Sequence, residues 1–179
     1  MRRAVFLDRD GVINETKLVK KIPTPPRNLA EIKIIEGVVE AVQIILDCKL
    51  LPVVITNQPD VARGTVTKKE IEVLHDRIAH LTGIRHFYTC FHDDKDNCKC
   101  RKPKPGLVND ASKELDIAVE SSYLVGDRWR DVALGQSLGC QTFFIDYSYP
   151  EIQPKKPYTP VSSLLEAMQI VRMECNETR

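Results

Sequence analysis

The apolar residues of this chain gather in five short runs: AVFL (4–7), LPVVIT (51–56), HFYTC (86–90), SYLVG (122–126) and QTFFID (141–146). The runs are rich in β-branched and aromatic residues, and none alternates with period two. That pattern predicts strands buried on both faces. Between them the spacing changes to that of helices. Residues 37–49 place Val38, Val42, Ile45 and Leu46 on one face. Residues 67–81 open with Thr67 and Glu70 at the spacing of a capping box, and Ile71, Leu74, Ile78 and Leu81 recur behind them. Further helices are predicted over 105–118, headed by Pro105, over 130–138 and over 161–174. Strands alternating with helices imply βαβ crossovers, hence an α/β fold of three layers, Rossmann-like, with a parallel sheet between helices. At 179 residues the chain suits a single domain, 1–179.

Sheets of this kind bind ligands outside the carboxyl ends of their strands. The polar residues fall there. The first strand ends at Asp8, the second at Thr56-Asn57-Gln58, the third at Cys90 and the fourth at Gly126-Asp127. Segment 15–35 breaks the alternation with three prolines and the cations Lys17, Lys20, Lys21 and Arg27. Two readings stand for it: a solvated loop, or a flap near the site that folds over the substrate. The second proline-rich stretch, 150–160, is expected only to lead into the final helix.

Bulk composition narrows the partners. The net charge of +1 provides no field for nucleic acid or an anionic membrane. No apolar run approaches the roughly 20 residues of a membrane span. The four-residue run before Asp8 is too short for a signal-peptide core. A cytoplasmic monomer acting on a small molecule is expected. In that compartment the six cysteines are not mainly disulfides. Cys48 and Cys140, in apolar surroundings, are expected to be buried thiols.

Asp8 and Asp10 are two residues apart, with Gly11 permitting a tight turn after them. Neighbouring carboxylates repel and need a cation or a shared proton. Asp127 adds a third carboxylate from another strand end. Oxygen donors without histidine suit a hard cation, and Mg2+ is usual where phosphate is bound. A carboxylate can attack phosphorus to form an aspartyl phosphate, and the transition state then needs metal, cation and hydroxyl or amide donors. Thr56 and Asn57 offer the donors, and Lys102 or Lys104 the cation.

These residues carry a resemblance. DRDGVIN (8–14), TNQ (56–58), Lys102 within CRKPKPG, and GDRWRD (126–131) resemble, in order, the four motifs of the haloacid dehalogenase-like (HAD) phosphatases. The resemblance implies Asp8 as nucleophile and Asp10 as acid and base. It implies Mg2+ held by Asp8, Asp127 and the Asp10 backbone carbonyl. Thr56 and Asn57 would hold the transferring phosphate, with Gln58 beside them at the substrate, and Lys102 would stabilise its charge. Asp131 would act from behind, orienting a metal-bound water or Lys102. Arg9 should point away. Neither inter-motif gap has room for a separate lid, so no large cap domain is expected. A phosphatase of small phosphorylated metabolites follows, with a non-catalytic metabolite-binding protein as the alternative of another class.

Cys90, His92, Cys98 and Cys100 form a Cys3His set without an open position, which suits a structural zinc loop over 90–100. Such loops resemble those of D,D-heptose 1,7-bisphosphate and histidinol-phosphate phosphatases. The five-residue gap after His92 is closer to the second group. TNQPDVARG (56–64) resembles the first, where an arginine, here Arg63, reaches the sugar's distal phosphate or hydroxyls. Pro59 and Asp60 depart from the small Ser-Gly pair usual there. Heptose 1,7-bisphosphate is the leading substrate expectation, histidinol phosphate its alternative. Arg101, next to Lys102, is expected at the substrate too. Trp129 is expected to pack on the core or sheet edge, and His75, His80 and His86 to be helix-surface or sheet residues.

Overall fold

The computed structural model describes residues 1–177; the last two positions of the expected domain lie outside the described residues. Six strands form one sheet in the order β5-β4-β1-β6-β7-β8, all neighbours parallel. They are β1 (Ala4–Leu7), β4 (Leu51–Asn57), β5 (His86–Cys90), β6 (Tyr123–Gly126), β7 (Gln141–Ile145) and β8 (Thr159–Val161). A separate antiparallel hairpin pairs β2 (Lys17–Val19) with β3 (Ile22–Thr24). The helices are α1 (Val38–Asp47), α2 (Lys68–Thr82), α3 (Gly106–Leu115), α4 (Trp129–Leu138) and α5 (Leu164–Glu177).

The absence of alternation in the strands has a direct cause. Val5 and Leu7 join a core cluster with α1, α5 and Ile78 of α2, whereas Ala4 and Phe6 join another with α3 and α4. Both faces of β1 are covered, so all four residues are apolar and fully buried. This is the expected three-layer architecture, with no large cap. Among the described residues no helix is long and apolar enough to cross a membrane.

Element boundaries moved where local chemistry intervened. Pro105 caps α3 rather than starting it, and Asp116 in a left-handed conformation ends it early. Position 161, expected at the start of the last helix, instead closes β8, and α5 begins at Leu164. Leu46 and Leu81, assigned to apolar helix faces, are 47% and 36% exposed. The buried face of α1 runs instead through Ala41 and Ile44. Neither the hairpin nor β8 was expected as a strand: three residues apiece and two prolines among them leave no periodicity to detect. Stretch 150–160 therefore supplies an edge strand besides leading into α5.

The capping box at the start of α2 forms as expected. Thr67 Oγ1 accepts from the Glu70 N–H at 3.2 Å, and Glu70 Oε2 accepts from the Thr67 N–H at 2.7 Å. Thr67→Ala should destabilise the protein by about 1 kcal/mol in urea unfolding, with an unchanged denaturant slope.

Candidate active site

Where β1 ends, the chain turns instead of running on. The Asp8 N–H still donates to Val125 of β6 at 3.0 Å, and Ile13 N and Asn14 N both return to the Arg9 carbonyl. Gly11 allows this turn with φ +85°, and its lack of a side chain has a second use. A Cβ there would lie 2.1 Å from Asp127 Oδ2. Gly126 is bare for the same reason: a Cβ would lie 2.1 Å from that of Asp131. Gly11 lets the first motif close on the fourth, and Gly126 lets the fourth fold back on its own Asp131.

The result is a buried charge cluster. Lys102 Nζ lies 2.8 Å from Asp8 Oδ1 and 2.7 Å from Asp131 Oδ1, and the Arg9 N–H donates to Asp8 Oδ1 at 2.8 Å. Asp131, in the first turn of α4, accepts from the Arg128 N–H through its other oxygen. Asp8, Asp127 and Asp131 each place a carboxylate oxygen within 4.8 Å of the others. Burial, and then the nearby Asp131 and Asp10, raise the Asp8 pKa to about 7 against the opposing pull of Lys102. Burial, followed by Asp8 and Asp131, pushes Asp127 well above the ordinary carboxylate range. Burial alone would lower Lys102; Asp131 and Asp8 outweigh it and its shift is upward.

This donor set fits a divalent hard cation. Its ligand atoms are carboxylate oxygens, and the buried Oδ1 of Asp127 has no hydrogen-bond partner among the described residues. The carboxylate of Asp10 is absent from the cluster. It turns to Arg9, Asn14 and Gln58 instead.

The second motif lies alongside. Asn57 holds the Lys102 backbone in both directions, accepting from its N–H at 3.1 Å and donating to its carbonyl at 3.3 Å. Thr56 is fully buried, and its hydroxyl accepts from Gln58 Nε2 at 2.8 Å. Gln58, expected at the substrate, is 1% exposed, and its amide bridges Thr56 and Asp10.

Over these groups opens a cleft of about 290 Å³. Asp8, Asp10 and Asp127 form its floor, and Arg63, Arg101, Arg128 and Arg130 line its sides. Each of these arginines already has an acidic neighbour. Arg63 Nε donates to Asp93 at 2.7 Å, Arg101 Nε to Asp94 at 2.9 Å, and Arg130 Nη1 lies 3.1 Å from Asp94. Arg128 pairs with Glu151. The hairpin contributes Ile22, Pro23 and Pro25, with Thr16 just before it. Of the two readings for segment 15–35, the structure shows a cleft wall.

The third strand end leads to the thiols. Cys100 Sγ lies 3.1 Å from Cys90 Sγ and 3.5 Å from Cys98 Sγ, and His92 Nδ1 lies 3.3 Å from Cys100 Sγ. Zinc–sulfur bonds of about 2.3 Å give tetrahedral edges of about 3.8 Å, so the four donors converge as a zinc site would require. The loop packs tightly on α3: a Cβ on Gly106 would lie 2.5 Å from the Lys99 carbonyl oxygen.

Several residues of the site carried no recognised signal. Arg128 and Arg130 sit inside the fourth motif but were assigned no substrate role. Tyr147, whose hydroxyl donates to the Gly11 carbonyl at 3.0 Å, and Tyr149, beside Asp127, follow the carboxyl end of β7. Their position at a further strand end was the available clue. One expectation is corrected and one is sharpened. Arg9 does point away from the cleft, and it points into the fold, fully buried against Asp10. His75 is not a surface residue but 8% exposed, stacked on Phe87 and facing Arg9.

Relatives agree with this architecture. The "HAD-hydrolase-like" family model matches residues 99–162. The D-glycero-beta-D-manno-heptose-1,7-bisphosphate 7-phosphatase of Pasteurella multocida is 34% identical over 151 residues, covering 76% of this chain and 77% of the relative. The chain belongs to the HAD-like phosphatase family. Its relative of the same name from Helicobacter pylori strain 26695 is 34% identical over 142 residues, covering 74% of this chain and 77% of the relative. Among solved structures of this family, the D,D-heptose 1,7-bisphosphate phosphatase of B. bronchiseptica, complexed with magnesium and phosphate, superposes with a TM-score of 0.83. That similarity covers 96% of this chain and 99% of the other at 22% identity, and it concerns the fold.

Removing the bridging ammonium exposes the cluster's internal repulsion. Lys102→Met should destabilise the Mg2+-free protein by on the order of 3–5 kcal/mol, measured by chemical denaturation. Millimolar Mg2+ should recover part of the loss, because a cation there would face the same carboxylates.

Proposed function

We propose that the chain hydrolyses a phosphomonoester through an aspartyl phosphate on Asp8, and that the substrate is D-glycero-D-manno-heptose 1,7-bisphosphate. The observation that carries the reaction is the buried cluster of Asp8, Lys102, Asp127 and Asp131 beneath an arginine-lined cleft. The substrate comes from the curated relatives, which bear that name at 31–35% identity. Residues 1–179 are taken as one domain, working as a cytoplasmic monomer.

Mg2+ would be held by Asp8 and Asp127, with the Asp10 carbonyl, and would neutralise charge on the phosphoryl oxygens. Asp8 attacks phosphorus, forming its O–P bond as the bond to the sugar oxygen breaks. Asp10 gives its proton to that leaving oxygen. Lys102 compensates negative charge on the phosphoryl group, and Asp131 keeps its ammonium in place. Asn57, which lines the cleft, fixes the Lys102 backbone and would face the phosphate, and Thr56 would join it by turning its hydroxyl from Gln58 toward the cleft. Asp10 then takes a proton from water, which attacks phosphorus, releases inorganic phosphate and frees Asp8. Arg63 and Arg101, with Arg128 and Arg130, would receive the distal part of the substrate, since their forks suit phosphate.

Zn2+ would be held by Cys90, His92, Cys98 and Cys100 as a closed structural site that ends two residues before Lys102. One feature favours a second substrate: the short gap after His92 matches the histidinol-phosphate enzymes.

Wild-type protein should release phosphate only with Mg2+, and Asp8→Asn should fall to background in the same assay. The kcat/KM for heptose 1,7-bisphosphate should exceed that for histidinol phosphate; the reverse order would hand the substrate to the second reading. Elemental analysis of protein purified without chelator should find zinc. Cys98→Ser should lose that zinc and melt at a lower temperature.

A further inference from the structure

Arg9 is a charged side chain at zero solvent exposure, a costly placement unless every N–H has a partner. Its Nε and Nη2 both donate to Oδ1 of Asp10, at 3.1 and 2.9 Å. Its Nη1 faces Nε2 of His75 at 3.2 Å. His75 lies on α2, stacked on Phe87 of β5 with ring centres 4.8 Å apart. Burial, and then the Arg9 charge, press the His75 pKa down to about 3. The ring is therefore neutral, and its Nε2 accepts from the guanidinium.

The two oxygens of Asp10 are treated unequally. Oδ1 receives both Arg9 donors and also Asn14 Nδ2 at 3.0 Å. That set exhausts its lone pairs. Among the described residues Oδ2 receives only Gln58 Nε2, at 2.7 Å. One oxygen is tethered to the protein and the other keeps a lone pair.

We propose that Arg9, braced by His75, is a positioning residue that assigns proton transfer to Oδ2 of Asp10. This inference rests on the acid and base role given to Asp10 above. Arg9 never touches the substrate. It holds the Asp10 carboxyl in one rotation, with Gln58 steadying the working oxygen. The brace reaches from the loop after β1 through α2 to β5, so the acid is fixed by the layer of the fold opposite the lysine.

The test uses leaving groups. A sugar alkoxide is a poor leaving group and needs a proton from Asp10 during phosphoryl transfer, whereas p-nitrophenolate leaves without one. The kcat/KM reports that first transfer for both esters. Arg9→Met should lower kcat/KM for heptose 1,7-bisphosphate by roughly 100-fold, the scale of lost general-acid help, and leave p-nitrophenyl phosphate within about threefold. His75→Phe keeps the stack on Phe87 and removes the acceptor. It should show the same selective loss at roughly 10-fold, and it carries the test if Arg9→Met does not fold. Asp10→Asn provides the reference pattern for a missing acid. Equal losses on both esters, or no loss on either in folded variants, would overturn the inference while leaving the phosphatase reading intact. Wild-type protein inactive on both esters would overturn that reading and the inference with it.

Discussion

The site depends on one buried ammonium. Lys102 Nζ sits between Asp8 and Asp131 at 2.8 and 2.7 Å, with its side chain 3% exposed. Three carboxylates converge there, and their full ionisation would leave two negative charges beyond the one ammonium, which is why burial and mutual repulsion hold Asp8 and Asp127 toward their protonated forms. That residual charge is the charge of one divalent cation. Much of the neighbouring geometry serves to keep the lysine in position: Asn57 clamps its backbone, bare Gly126 leaves room for Asp131 in the first turn of α4, and bare Gly11 lets the loop after β1 meet Asp127.

The rim follows different electrostatics. The Arg63 side chain is 48% exposed, and pairs anchored at the surface in this way contribute about 0–1 kcal/mol each. Such pairs hold the arginines in orientation without locking them. A phosphate entering the cleft would meet guanidinium groups already pointed inward and could displace Asp93 or Asp94 at small cost. The floor is rigid because its charges are buried, whereas the rim grades from Arg101, 12% exposed, to Arg63, 48% exposed and the freer of the two to exchange partners.

The sequence showed the architecture well, because strands covered on both faces leave unbroken apolar runs and parallel sheets collect their polar residues at one edge. β1, β4, β5, β6 and β7 and the residues at their carboxyl ends were legible for that reason. The hairpin β2-β3 and strand β8 were not, since three-residue strands with prolines hold no period. Arg9 turns away from the cleft as expected, and what stayed hidden was its destination, full burial inside the fold. Only the fold brings His75, sixty-six positions away, to the far end of its guanidinium. The acidic partners of Arg63 and Arg130 were illegible in the same way, because Asp93 and Asp94 lie thirty and thirty-six positions from them in the chain.

The two proposed metal sites share one stretch of chain, and their donors keep them apart. Three thiolates and an imidazole are soft enough for zinc and closed to substrate, whereas the carboxylate cluster is hard and opens onto the cleft. Cys100 belongs to the first set, and two residues later Lys102 belongs to the second. Closing the thiol site would remove the freedom of the loop that carries the lysine, before any substrate arrives. The ordering entropy of that loop would then be met by metal binding during folding, and none of it would fall on the phosphoryl transfer.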